Sequence, residues 1–433
     1  MLRGDMLRTE GTVRVPSARP AFLRKSSVVV LPARSLTSVG EVALLPSLSS
    51  TFERFVRSEQ SGSFLLMACT LLALGLTNSS IGPAYLSFWH AYVAGLSLEH
   101  WVNDALMAVF FLLIGLELER ELYVGELSEP KNALLPMVAA VGGMLVPASI
   151  HYGFNAGLPT TSGFGIPMAT DIAFALGVLA LLGNRIPAAL KVFLVAFAVM
   201  DDLGAIVIIA IFYTAQISVG HLLGALAVFG VLVILNRFLG VMRLAPYLIG
   251  GVAMWYLMLE SGVHATIAGV MLAFAIPFSR PDGDSPSHRL EHALHRPVAL
   301  LVLPIFALAN AGILLDADSL RHLAAPNSMG IATGLLLGKP MGVLLFCWIA
   351  IAAGICRLPP EVNWRHVAGA GILGGIGFTM SIFITNLAFG TDPDLVNASK
   401  MAVLAGSLAA GVLGFLWLRF SASQGPTQVE SDS

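Results

Sequence analysis

Apolar runs of about 20 residues recur along most of this chain, and they constrain its fold more than any other feature. Such a run spans the hydrocarbon core of a bilayer when it is helical, and only helices and closed barrels satisfy their backbone polar groups there. Of 433 residues, 56% are hydrophobic and 12% charged, whereas a soluble domain has about a quarter charged residues. The composition argues against a soluble enzyme and indicates a protein embedded in membrane lipids.

The apolar runs lack the short alternating pattern of barrel strands, so we predict an all-α polytopic membrane protein. We count about twelve spans, at 62–80, 102–118, 133–153, 164–182, 190–213, 219–236, 245–259, 263–278, 297–315, 329–353, 367–389 and 400–418. They form a membrane domain at 61–419, followed by a polar tail at 420–433. Residues 1–60 form a basic leader that we expect to be disordered. Its composition resembles a targeting peptide, but we favour a cytoplasmic tail or an overlong start assignment.

Basic residues fall on alternate connections between the predicted spans. One set of connections holds twelve Lys and Arg residues, the first of them Arg120, while the other set holds two, Arg321 and Lys400. Basic connections stay in the cytoplasm, and the basic leader joins the larger set. The pattern predicts an even number of spans with both termini cytoplasmic.

Apart from the lysines at span ends that are counted with the connections, six charged residues lie inside the predicted spans. They are Asp104, Glu117, Asp171, Asp201, Asp202 and Lys339. A charge at the bilayer centre costs about 2.5–3.5 kcal/mol on insertion scales and persists where it faces a cavity or a partner. Five carboxylates cannot all pair with one lysine, so ion handling is favoured over ion pairs that only fix packing.

Asp201 and Asp202 are neighbours on a predicted helix, so their side chains leave it about 100° apart. One can line a cavity while the other meets Lys339, the only intramembrane cation. The remaining carboxylate is then free to exchange a proton for a small hard cation, which takes oxygen ligands. Thr170, beside Asp171, adds a hydroxyl to this set. The residues predict a site that exchanges H+ for Na+.

Spans four and eleven are rich in helix breakers. Aligning Gly165 with Gly375 places Asp171 opposite Ser381, a weak internal repeat. Two interrupted spans in corresponding halves indicate a midplane site with unwound backbone, although glycines that serve only packing would look the same. Asp171 would balance the positive ends of half-helices and Lys339 the negative ends.

Several stretches, taken in order, resemble a known family. They are NDALMAVFFLLIGLE at 103–117, ATDIAFALG at 169–177, DDLGA at 201–205, SGVHAT at 261–266, LEHALH at 290–295, GKP at 338–340 and GIGFTMS at 375–381. The chain resembles the bacterial Na+/H+ antiporters of the NhaA family over residues 52–419. That family is itself an established example of inverted-repeat transporters, so the repeat and the resemblance are not independent.

The resemblance implies twelve helices in the bacterial inner membrane, with spans three to five and ten to twelve as inverted repeats whose broken helices, spans four and eleven, cross. It implies that Asp202 carries Na+, Li+ or H+, that Asp201 associates with Lys339, and that Thr170 and Asp171 adjoin them. Both aspartates would then contact the transported Na+, with Asp104 and Ser381 accessory. Exchange would be electrogenic, active at alkaline pH, and serve pH and sodium homeostasis and salt tolerance, with no cofactor beyond the transported ions.

The resemblance also directs attention to the cytoplasmic mouth as a pH-regulatory region. Glu117 and Glu121 are spaced i,i+4, and Glu291 and His295 have the same spacing. The predicted pH-responsive residues are Glu117, Glu121, His264, His288, Glu291, His292 and His295. A solvated charged cap on two helices is the alternative interpretation, and His264 alone would otherwise be a packing residue.

One departure from the family and two rival functions remain. The connection at 83–100 is short for the β-hairpin through which the family dimerises, although residues 93–96 can form a reduced turn, so a homodimer is a weaker expectation. A passive cation channel is disfavoured because Lys339 would repel cations. An intramembrane aspartyl protease needs facing carboxylates, which adjacent aspartates do not provide and Asp171 with Asp202 would. No nucleic-acid partner is expected.

Overall fold

The computed structural model describes residues 50–422 apart from 126, 127, 129, 215, 216, 280–284 and 316–320. Most of these residues are helical, which confirms an all-α membrane protein. The helices are α1 Ser50–Thr77, α2 Gly82–Trp89, α3 Leu98–His100, α4 Met107–Tyr123, α5 Pro130–Asn155, α6 Ile172–Leu182, α7 Ala188–Phe212, α8 Val219–Arg237, α9 Leu244–Ser261, α10 Ile267–Ala275, α11 Pro286–Pro297, α12 Leu303–Asn310, α13 Pro326–Thr333, α14 Lys339–Ala352, α15 Trp364–Gly374, α16 Phe378–Phe389 and α17 Pro393–Ala422.

Among the described residues, seven helices are long and apolar enough to cross a membrane, or nine if each of two bent pairs is one span. The bends are 118° between α1 and α2 and 44° between α15 and α16. Every predicted apolar segment contains helical residues, but several are broken or short, such as α10 with its 9 residues. The count of twelve spans therefore stays a prediction.

Three short π-helical segments interrupt the membrane helices. They are Trp101–Leu106 before α4, Val298–Val302 between α11 and α12, and Gly334–Gly338 between α13 and α14. Such segments shift the side chains that follow to a new face and are frequent at functional sites. The third of them ends directly before Lys339.

Span four is interrupted by irregular backbone. It begins as the 3-10 helix Pro159–Gly165 and becomes α-helical only at Ile172. In span eleven, α15 ends at Gly374 and α16 begins at Phe378. The two interruptions touch, because the Asp171 amide donates to the Ile376 carbonyl at 2.6 Å.

Glycines allow α5 and α14 to pack closely against each other. A Cβ added to Gly142 on α5 would overlap the backbone of Gly342 on α14, and the reverse also holds. Small residues let membrane helices approach in this way. Helices at the periphery are different: 11% of the most apolar stretch of α8 is buried inside the protein. Its remaining apolar surface faces outward, as lipid contact requires.

A two-residue hairpin forms in the connection before α3. Tyr92–Val93 pairs antiparallel with Leu96–Ser97, and the turn places Ala94 at φ 51° and Gly95 at φ 88°. Positive φ at both turn positions matches the twist of paired strands. The reduced turn expected at 93–96 is present, while dimerisation through it stays a prediction.

The ends of the membrane domain differ from the predicted boundaries in two respects. Helix α1 begins at Ser50, so residues 50–60, which we assigned to the leader, are helical. Residues 1–49 lie outside the described residues, as do residues 423–433 of the predicted tail, and α17 extends to Ala422.

Candidate functional site

A fully buried ion pair joins α7 to α14. Lys339 Nζ lies 2.5 Å from Asp201 Oδ2, and both side chains are 0% exposed. The ammonium also lies 5.4 Å from the centre of the Phe197 ring. The charges of a buried pair depend on each other, because removing either leaves an uncompensated charge in low dielectric. The structure therefore brings together the two residues whose pairing the resemblance implied.

Asp202 points away from this pair, as helical geometry requires of a neighbouring residue. It is 1% exposed and lines a cavity, whereas Asp201 does not. Its Oδ1 atom has no hydrogen-bond partner among the described residues. A buried oxygen without a donor is costly, and binding a proton or a cation removes that cost.

Asp171 caps two helices at once. It adopts extended backbone before α6, and its Oδ1 accepts a hydrogen bond from the Phe174 amide at 3.0 Å. Its Oδ2 accepts from the Thr379 amide at 2.9 Å and from the Thr379 hydroxyl at 2.6 Å, at the start of α16. Helix N-termini carry partial positive charge. One carboxylate thus holds two positive helix ends together.

The remaining hydroxyls at the interruptions satisfy backbone carbonyls. Thr170 Oγ1 donates to the Gly374 carbonyl at 2.9 Å, and Ser381 Oγ donates to the Ile166 carbonyl at 2.6 Å. A Cβ at Gly377 would lie 2.8 Å from the Ala169 carbonyl oxygen, so only glycine permits this approach. The sequence alignment placed Ser381 opposite Asp171, but the residue that binds Asp171 is Thr379.

The cavity beside Asp202 has a volume of about 40 Å³. A single water needs about 10–15 Å³, so the space fits a small cation with one or two waters. Five of the lining residues are polar, namely Glu117, Thr170, Asp171, Asp202 and Thr379. All of their side-chain polar atoms are oxygens, the ligands that hard cations prefer.

A charged cluster lies where α4 meets α11. Arg120 donates from Nε to Glu291 at 2.8 Å, and its Nη1 lies 2.9 Å from Glu121. Further contacts link His288 to Glu291 at 3.5 Å, His292 to His288 at 3.1 Å and His295 to Glu117 at 3.7 Å. The structure brings together six of the seven residues that we expected to respond to pH.

Arg120 is the member of this cluster that the sequence analysis missed. It was counted only as a basic loop residue, yet it lies between two carboxylates and is 25% exposed at its side chain. Its position one residue before Glu121 and three after Glu117 was the available signal. Glu117 belongs both to this cluster and to the cavity wall, so the two regions are continuous.

His264 and Asp104 lie apart from the cavity wall. His264 Nε2 donates to the Tyr213 carbonyl at 2.9 Å, and the Tyr213 hydroxyl donates to the Ser162 carbonyl at 2.7 Å. Tyr213 therefore links His264 to the backbone at the beginning of span four. Asp104 lies in a π-helical segment, and its backbone carbonyl accepts from the Trp255 indole at 3.2 Å.

Comparison with known proteins shows which family the chain is similar to. Residues 53–418 match the family model described as Na+/H+ antiporter 1. An Na(+)/H(+) antiporter NhaA from Dechloromonas aromatica is 66% identical over 375 residues, which cover 86% of this chain and 96% of the relative. Relatives of the same name from Cytophaga hutchinsonii and Vibrio parahaemolyticus are 55% and 49% identical, each over 86% of this chain and over 96% and 98% of their own lengths.

Proposed function

Because the chain belongs to the Na+/H+ antiporter 1 family and is a sodium/proton antiporter, we propose that Asp202 is the carboxylate at which the two ions compete. The observation that carries this proposal is the unpaired Asp202 Oδ1 atom in the cavity wall. Family membership indicates a transporter rather than an enzyme, and Na+ and H+ are its transported ions. Li+, a smaller hard cation, would use the same oxygen ligands.

The exchange cycle follows from one site that holds either ion. Na+ enters along the cavity past Glu117 and displaces the proton from Asp202. After the site turns to the other side of the membrane, Na+ leaves and a proton binds Asp202. Bound to either Na+ or a proton, the Asp202 carboxylate is neutral and can change the side of the membrane that it faces. The ionised carboxylate cannot, because exposing a charge to the low dielectric of the membrane is too costly.

We further propose that the Asp201–Lys339 pair makes exchange electrogenic. Asp201 Oδ1 has no partner among the described residues, so it can become a second Na+ ligand when the pair separates. Lys339 would then release its proton, and two protons would be exchanged for one Na+. One net charge per cycle couples transport to the membrane potential, which contributes about 2.3 kcal/mol per 100 mV.

The interrupted spans four and eleven are the proposed moving parts. Under the alignment of Gly165 with Gly375, Ile166 corresponds to Ile376 and Asp171 to Ser381. The Asp171 backbone amide donates to the Ile376 carbonyl, and the Ser381 hydroxyl donates to the Ile166 carbonyl, so the two bonds join corresponding positions of the two spans, although one donor is backbone and the other is side chain. This reciprocity supports twelve spans in inverted repeats, with the two broken helices crossing at the site.

The charged cluster is proposed to regulate transport by pH. Glu117 lines the ion cavity, and its carboxylate lies 3.7 Å from the His295 ring. A change of charge in the cluster therefore changes the electrostatic potential at the cavity wall. Histidine changes charge near neutral pH. The cluster would hold the mouth in a less accessible form until its groups lose protons, and transport would begin at alkaline pH.

We also propose the bacterial inner membrane as the location, with both termini in the cytoplasm and the charged cluster on that side. The alternation of basic connections supports this orientation. A homodimer through the Tyr92–Ser97 hairpin is proposed as well. The protease alternative is not favoured, because both carboxylate oxygens of Asp171 already accept hydrogen bonds from Phe174 and Thr379.

The ion site is tested by Asp202→Asn in proteoliposomes loaded with a pH-sensitive dye. We expect Na+- and Li+-driven proton movement to fall to the protein-free background while the variant still folds. Asp104→Asn is the matched comparison: Asp104 is also a carboxylate inside a predicted span but does not line the cavity, so this variant should lose less exchange than Asp202→Asn. If Asp202→Asn keeps full exchange activity, or if both variants lose the same fraction of it, Asp202 is not the ion-binding carboxylate.

A further inference from the structure

A second and larger pocket, of about 840 Å³, lies at the ends of α4 and α8 and beside α10. Phe229, Val233 and Phe274 line it, and the stacked rings of Tyr123 and Phe278, 5.3 Å apart, form another part of its wall. Ligand sites in proteins usually have about 300–1,000 Å³. The pocket is therefore large enough to bind a ligand, and none of its residues lines the ion cavity.

Two charges of opposite sign face this pocket. Glu119 on α4 is 4% exposed and accepts a hydrogen bond from Ser287 Oγ at 2.9 Å. Arg237, the last residue of α8, is exposed. Neither forms an ion pair within the part of the chain that the structure describes. A buried carboxylate held by one neutral donor is poorly compensated, so a cationic group in the pocket would stabilise it.

The surroundings of the pocket indicate a lipid. Helix α8 is long and apolar enough to cross a membrane, and most of its apolar surface is not covered by protein. The pocket lies at its last turns and at those of α4, where a spanning helix meets the lipid headgroups. Aromatic side chains such as Tyr123 are typical of that boundary.

We propose that the pocket binds a phospholipid whose headgroup carries a primary ammonium. The ammonium would bind Glu119, the phosphate would bind Arg237, and the first part of an acyl chain would lie along Phe229, Val233 and Phe274. A guanidinium matches phosphate oxygens well, and a primary ammonium has three N–H donors for a carboxylate. A quaternary ammonium has none, and an anionic headgroup places no cation at Glu119.

The test uses the full-length protein purified in detergent, with bound lipid counted by native mass spectrometry. Dioleoyl-phosphatidylethanolamine, -phosphatidylcholine and -phosphatidylglycerol are titrated in turn. We expect the ethanolamine lipid to bind about tenfold more tightly than the choline lipid, the effect of one charge-assisted hydrogen bond. Glu119→Gln should abolish that preference while leaving the binding of the choline lipid unchanged.

A second pair of variants separates the phosphate from the amine. Arg237→Gln should weaken the ethanolamine and choline lipids by similar factors, since both carry the phosphate. Arg243→Gln is the matched control, because Arg243 is also an exposed arginine near the same helix end but does not line the pocket. It should leave both affinities unchanged.

If Glu119→Gln does not fold, Phe274→Trp provides a test that keeps both charges. The larger ring narrows the pocket and should weaken the ethanolamine lipid at least as much as the choline lipid. Equal binding of all three lipids by the unaltered protein would overturn the proposal, as would preference for phosphatidylglycerol. A change of oligomeric state in Arg237→Gln without a change in lipid binding would assign the pocket to a contact between copies instead.

Discussion

Replacing Lys339 by methionine should destabilise the protein more than any other removal of a lysine. The substitution keeps the length of the side chain but leaves the Asp201 carboxylate buried without its cation. At 2.5 Å and an effective dielectric constant of about 20, the lost attraction is about 7 kcal/mol. Desolvation of the lysine offsets part of it, and breaking a buried pair by removing one partner typically costs about 3–5 kcal/mol.

The double variant Asp201→Asn/Lys339→Met should recover most of this loss, because it contains neither charge. A buried pair replaced by neutral groups of similar size is often tolerated. Lys400→Met is the matched control: Lys400 is 7% exposed and forms no ion pair among residues that the structure describes. Removing a buried charge that has no ion-pair partner at contact distance should leave the free energy of unfolding unchanged or raise it.

The measurement is chemical unfolding in detergent micelles, followed by tryptophan fluorescence at constant detergent and salt. A double-mutant cycle consists of the unaltered protein, the single variants Asp201→Asn and Lys339→Met, and the double variant. It isolates the free energy of interaction between the two side chains. We expect a coupling energy of at least about 2 kcal/mol. If Lys339→Met lowers the free energy of unfolding no more than Lys400→Met, or if the two single effects simply add in the cycle, the buried pair does not stabilise the fold.

Three other predictions follow from the packing and charge of the described residues. Asp171→Asn places an amide donor against the amide and hydroxyl donors of Thr379. The free energy of unfolding, measured by the same unfolding assay, should therefore fall by about 2 kcal/mol, and Na+-driven exchange should slow. Unchanged stability would show that Asp171 does not cap both helices. Gly142→Leu should prevent the close approach of α5 to α14 and reduce the yield of folded protein in size-exclusion chromatography, whereas Gly153→Leu, with open space around it, should not. Arg120→Gln removes the cation that favours the ionised form of Glu121 and Glu291. These carboxylates should then lose their protons only at higher pH, so the pH of half-maximal exchange in proteoliposomes should rise. An unchanged pH profile would indicate that the cluster is only a solvated charged cap.

Much of the site could be predicted because its determinants are local. The divergence of Asp201 and Asp202 follows from 3.6 residues per helical turn, and the structure pairs one with Lys339 and turns the other toward the cavity. Likewise, the interruptions in spans four and eleven follow from their glycines and prolines. A charge inside an apolar run is a strong signal, because few side chains tolerate that position.

The residues that were missed depend on contacts between distant segments. Thr379 binds Asp171 across 208 positions of sequence, and nothing near Thr379 in the chain distinguishes it from the other hydroxyls of span eleven. Arg120 is read as a loop charge until α11 is seen beside it. The π-helical segment before Lys339 also leaves no clear sequence signature, although it sets the face on which the lysine projects.

The central claim, that Na+ and H+ compete for Asp202, is tested most directly by Na+-binding calorimetry on the detergent-purified protein at several pH values. Na+ displaces the Asp202 proton and, in the proposed two-proton exchange, the Lys339 proton as well. The apparent affinity for Na+ should therefore rise about tenfold per pH unit where only Asp202 is protonated in the Na+-free protein, and up to about a hundredfold where both groups are. Na+ binding should also release protons into a weakly buffered solution, and Asp202→Asn should show neither effect. An Na+ affinity independent of pH, or proton release that persists in Asp202→Asn, would contradict the account.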